Sequence, residues 1–60
     1  MILKIGMNYK FYMYSTKGLR VIYGKVVEVG EGYIDYTDSH GKGRLFTEYL
    51  YKWKLDLRLV

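Results

Sequence analysis

The sequence predicts an all-β domain, a five-stranded antiparallel meander. Three observations carry that expectation. Tyrosine, valine, isoleucine and threonine dominate while alanine is absent, and β-branched and aromatic side chains suit a pleated, half-buried surface. Apolar residues alternate with polar ones at period two in stretch after stretch. Clusters of glycine, serine and aspartate cut the chain into strand-length pieces, and no helical pattern intervenes to carry a parallel crossover.

Taken in order, Tyr9 to Tyr14 reads as a strand, prolonging a stretch from Ile2 to Ile5 with a bend marked by Gly6 and Asn8. If Phe11 and Met13 face the core, Lys10, Tyr12 and Tyr14 share the outer face. Ser15-Thr16-Lys17-Gly18 is a turn in which Gly18 can take a positive φ. Leu19 to Val29 is a long second strand with its alternation carried by Leu19, Val21, Tyr23, Val27 and Val29. Lys25 falls on that same apolar phase, so a bulge or sharp bend at Gly24 is expected to reset the register. Gly30-Glu31-Gly32 turns the chain into a third strand, Tyr33 to Thr37, with Ile34 and Tyr36 on one face. Asp38 to Gly43 is the most loop-like segment, needing positive φ at Gly41 or Gly43, and Arg44 to Thr47 makes the fourth strand.

The last segment fits two templates. A helix can be drawn through Phe46, Tyr49, Leu50, Trp53, Leu57 and Val60, but it leaves Leu55 and Leu59 off its stripe. Strand alternation accounts for every residue from Tyr51 to Leu59, with a short 3₁₀ turn at Thr47 to Leu50 before it. A straight strand from Tyr51 to Val60 would run about 33 Å, whereas a compact domain of this length is only about 27 Å across. An apolar overhang of Leu55, Leu57 and Leu59 is therefore expected to pair with a second copy, giving a homo-oligomer, in the simplest case a homodimer.

Composition narrows the function classes. Sixty residues make one domain, 1–60. There is no cysteine and the only histidine is His40, which rules out a zinc cage of Cys and His ligands. No apolar run approaches the length needed to span a bilayer, and Met-Ile-Leu-Lys-Ile-Gly is interrupted by charge too soon for a signal peptide. A cytoplasmic protein without membrane contact is the expectation. No cofactor is expected. Catalysis is not expected either: Ser39 and His40 are adjacent in a glycine-rich tip, and although Asp35 and Asp38 could flank them, a lone histidine there reads as a solvated turn residue.

The architecture resembles an SH3-like small barrel, with its bent second strand, its hairpin at Asp38 to Gly43 and its short turn at Thr47 to Leu50 before the last strand. That superfold hosts unrelated functions. One stretch, Tyr33-Ile34-Asp35-Tyr36-Thr37-Asp38 followed by Gly41-Lys42-Gly43-Arg44, is similar to the middle hairpin of the small basic chromatin proteins of crenarchaea. The resemblance implies DNA binding on a three-stranded sheet, with Arg44 on the DNA-facing side and Tyr33 near an apolar wedge.

The net charge is +4, from ten basic and six acidic residues, and eight tyrosines accompany it. Rings that stack bases, interleaved with cations that follow phosphates, are how small barrels hold nucleic acid without reading sequence. The candidate nucleic-acid-binding residues are Lys10, Tyr12, Tyr14, Arg20 and Lys25, with Lys52 and Lys54 extending the face and His40, Lys42 and Arg44 at a hairpin tip. DNA and RNA are equally open. The alternative is a protein-interaction or assembly module, as in a virus, that docks through its aromatic surface or adds an edge strand to a partner.

Overall fold

The structure, a computed structural model, describes residues 2–59 and only the backbone of Leu59. Five strands form one antiparallel sheet: β1 (Asn8–Ser15), β2 (Gly18–Gly30), β3 (Tyr33–Asp38), β4 (Gly41–Phe46) and β5 (Leu50–Leu55). A 3₁₀ turn at Thr47–Tyr49 precedes β5 and a second, Leu57–Leu59, follows it. The spatial order is β4-β3-β2-β1-β5. This is compatible with the small barrel expected, but hydrogen bonds do not close it: β4 and β5 remain edges. Among the described residues there is no α-helix, and no helix is long and apolar enough to cross a membrane.

Thirteen residues of β2 would extend about 40 Å if straight, whereas the longest dimension of the molecule is 31 Å. The strand must bend. Its first half pairs with β1, from Gly18 opposite Ser15 to Lys25 opposite Asn8. Its second half pairs with β3, from Lys25 opposite Thr37 to Gly30 opposite Tyr33. The register shifts between Val26 and Glu28, leaving Val27 as the extra residue of a bulge. The reset expected at Gly24 thus falls three residues later.

Gly24 has a different part to play. A Cβ there would meet Cδ2 of Tyr36 at 2.6 Å, and one on Gly43 would meet Cζ of the same ring at 2.5 Å. The Tyr36 side chain therefore spans from β2 to β4 over two glycines. Where no side chain stands in the way, a ring can lie close to the backbone and cover it from water.

The core is small: Tyr9, Phe11, Met13, Val26, Ile34 and Leu45, with Leu3, Ile22, Tyr36, Leu50 and Trp53 packed around it. Phe11, Val26 and Ile34 are fully buried, each worth about 1.5–3 kcal/mol of transfer free energy. β1 and β3 present the expected faces. The first half of β2 does not. Ile22, Gly24 and Val26 point inward, while Leu19, Val21 and Tyr23 are exposed. Lys25 was on their phase because that phase faces water. Beyond the bulge the parity switches, and Val29 pairs with the buried Ile34.

Two terminal expectations are corrected. Residues 2–5 form no strand: the chain turns at Ile5 and Gly6, where Gly6 has φ +90°. There the Gly6 N–H donates to the Val26 carbonyl (2.8 Å), and the Val26 N–H donates to that of Met7 (3.0 Å). The last strand stops at Leu55 rather than running to Leu59. It stops because Asp56 folds in and the chain turns behind it, so the overhang that suggested pairing through Leu55, Leu57 and Leu59 is not formed. Leu55 and Leu57 are exposed, and the Leu59 side chain and Val60 lie outside the described residues. The turns hold as read: Gly18 and Gly41 both have positive φ, +110° and +121°.

Gly24→Ala should lower the unfolding free energy by about 1–3 kcal/mol and Phe11→Ala by about 3–5 kcal/mol, both read from urea denaturation. An unchanged midpoint for Gly24→Ala would show that the Tyr36 ring is not pinned against β2.

Candidate nucleic-acid interface

Strand alternation and register place a set of cations and rings on the outer face of β5, β1 and β2. Lys10 stands opposite Lys54 on one side and Tyr23 on the other. One row further along, Tyr12 stands between Lys52 and Val21. Directly opposite residues on neighbouring strands touch, and two of these pairs, Lys10–Tyr23 and Lys52–Tyr12, set a cation against a ring. The Lys10 Nζ lies 5.5 Å from the Tyr23 ring centre, and Lys52 and Lys54 lie 4.8 and 5.9 Å from that of Tyr12. These are cation–π distances. Beyond them, Tyr14 meets Tyr51 edge to face at 5.5 Å.

Carboxylates are scarce on this face. The salt bridges among the described residues are Arg44–Asp35 and Arg58–Asp56, so Lys10, Lys52 and Lys54 have no carboxylate partner there. Asp56 is buried and gripped by Arg58, whose Nη2 donates to Oδ2 at 2.7 Å and whose Nε donates to Oδ1 at 2.9 Å. The Arg58 guanidinium also lies 3.6 Å over Tyr23. The side-chain hydrogen bond from Arg58 holds the Asp56 carboxyl below its ordinary 3.8, against a smaller opposing effect of burial. The same pair keeps Arg58 charged by raising its pKa.

The other proposed residues divide. Lys25, opposite Asn8 and Thr37, lies on the same outer face, and Lys42 follows opposite Thr37 on β4. Arg20 pairs with the buried Met13 and so sits on the opposite face from Lys10. His40 is exposed in the β3–β4 turn, its backbone N–H donating to Asp38 Oδ1 at 2.8 Å. Arg44 is held by Asp35, Nε to Oδ1 at 2.7 Å and Nη2 to Oδ2 at 3.1 Å, and lies 4.1 Å from the Tyr33 ring centre. The Tyr33 hydroxyl donates to Glu28 at 2.7 Å, and this bond raises its pKa. Around Arg44 the outer surface thus carries two carboxylates, Glu28 and Asp35, against one guanidinium, in contrast to the lysine-rich β1–β5 side.

Tyr23, Tyr51 and Arg58 join the face without having been singled out in the sequence. The signal for Tyr23 was present: Lys25 shares its phase, and a lysine marks the wet side of a strand. No protein-family model, curated protein or solved structure matches the chain.

Because the folded-state pKa of Asp56 is depressed, its contribution to stability is fully present above 3.8 and is lost as the pH falls through the lower folded value. Asp56→Asn should therefore melt below the native protein at neutral pH, with the gap narrowing as the pH falls below 3.8 and closing once the folded carboxyl is protonated. A gap that persists in acid would point to packing rather than charge.

Proposed function

We propose that the outer face of β1, β2 and β5 binds nucleic acid largely without regard to sequence. One observation supports this reading above the others: Lys10, Lys52 and Lys54, free of carboxylate partners among the described residues, lie in rows with Tyr12 and Tyr23. Lysines two apart on β5 are about 7 Å apart along the strand, presenting successive charges to a polyanion. The rings between them offer stacking surface that every base can use. Lys25 and Lys42 lengthen the basic strip across the sheet. Arg44, satisfied by Asp35, is left out of the binding set, and with it the role that the chromatin-protein resemblance gave it.

The far end of the same face favours a second reading. Tyr14, Leu19, Tyr49 and Tyr51 are each about half exposed (55%, 53%, 50% and 54%). Aromatic residues gathered like this suit a protein partner as well, including another copy of the chain.

The test is fluorescence anisotropy of labelled oligonucleotides at two salt concentrations. With three lysine–phosphate contacts the slope of log affinity on log salt is roughly −2, a loss of roughly 20-fold between about 50 and 200 mM. Lys52→Ala/Lys54→Ala should flatten that slope, whereas Tyr12→Ala should weaken binding by about 1–3 kcal/mol without changing it. No binding at about 50 mM salt would overturn this reading in favour of the protein partner.

A further inference from the structure

A polar cleft of about 510 Å³ opens beside the basic face, lined among others by Arg20, Tyr23, Thr37, Asp38, Ser39 and Arg58. It exists because β2 changes partners. Residues 19–24 pair with β1 on one side, but β3 takes up pairing only at Lys25, so the other side of this segment has no strand beside it. The end of β3 and its turn form one wall, and Tyr23 with the Asp56–Arg58 pair forms the other.

We infer that this cleft receives one unstacked nucleotide of a single strand lying on the basic face, so that single-stranded nucleic acid, not duplex, is the ligand. The inference rests on the nucleic-acid reading above and adds the strandedness and a second subsite. Four features support it. The volume is within the range of small-ligand sites, about 300–1,000 Å³. Tyr23 belongs to both places: it lies beneath Lys10 and Arg58 and also lines the cleft. The Arg58 guanidinium, fixed by Asp56 at Nε and Nη2 and lying over that ring, keeps an exposed side (58% of its side-chain surface) as a rigid plane at the entrance. Such planes stack unpaired bases.

The polar lining suits a base and its phosphate. Arg20 is exposed and makes no salt bridge among the described residues, which leaves its guanidinium for a phosphate. Asp38 uses Oδ1 for the His40 N–H, and its second oxygen can accept from a base amino group. Thr37 and Ser39 add hydroxyls, and the unpaired side of β2 adds backbone donors and acceptors. The base edges of a duplex are already paired and stacked, so it could use the lysines but not the cleft.

The experiment compares a labelled 12-nucleotide single strand with its duplex by anisotropy at about 50 mM salt, for the native protein, Arg20→Glu and Lys17→Glu. The two variants change the net charge equally, and Lys17 lies in the β1–β2 turn away from the cleft lining. The expected result is a preference for the single strand of about 10-fold or more, from stacking of one or two bases. Arg20→Glu should weaken the single strand at least about 5-fold more than Lys17→Glu does, with equal effects of both on the duplex. Duplex binding as tight as single strand, or equal losses in the two variants, would overturn the cleft while leaving the basic face standing. Absence of binding to either nucleic acid would overturn both.

Discussion

A strand longer than the molecule that contains it sets the form of this domain. At thirteen residues, β2 cannot run straight through a body 31 Å long, and its bend divides the sheet into two working halves. The bend needs two local devices. At Val27 a bulge takes up one residue, switches the inward phase from even to odd positions and increases the local twist. At Gly24 the missing side chain lets the Tyr36 ring lie against the backbone and reach Gly43 on the next strand but one. With those in place, a core of six side chains is enough to hold five strands together.

The surface follows from the same bend. Before the bulge, odd positions of β2 face outward, which brings Tyr23 beside Lys10 and Val21 beside Tyr12. After it, Glu28 stands opposite Asp35; Asp35 is paired with Arg44, and Glu28 accepts from the Tyr33 hydroxyl. One outer surface is consequently rich in free lysines, while on the other the guanidinium is tied to a carboxylate and a second carboxylate stands beside it. The handover of β2 from β1 to β3 also leaves the cleft between them. Backbone geometry thus accounts for the basic strip, the carboxylate-bearing cluster around Arg44 and the cleft together.

Much of this was legible in the sequence, and the parts that were not fail for physical reasons. The turns were readable because Gly18 and Gly41 occupy φ values that other residues avoid. The faces of β1 and β3 were readable because Phe11, Met13 and Ile34 alternate cleanly with polar neighbours. In β2 apolar residues stand on both faces, Ile22 and Val26 inward and Leu19 and Val21 outward, so counting them chose the wrong one. A single charged residue, Lys25, carried the better information, since a lysine amine is far harder to bury than a valine is to expose. The end of β5 was hidden for a similar reason: period-two alternation continues through Asp56 and Arg58, but their ion pair turns the chain inward. In the candidate interface, Lys10 and Tyr12 were placed by alternation along one strand. The pairing of Tyr23 and the loss of Arg44 to Asp35 depend on cross-strand register, which no local pattern encodes.

The claim at the centre is that ligand contacts lie on the lysine-rich half of the outer surface and not on the half around Glu28, Asp35 and Arg44. Amide chemical-shift mapping during titration with a short single-stranded oligonucleotide tests it directly. Shifts concentrated at Lys10, Tyr12, Tyr23, Lys52 and Lys54, with Glu28, Tyr33, Asp35 and Arg44 unmoved, are the predicted result. Shifts centred on Tyr33 and Arg44, with the lysine rows silent, would contradict it.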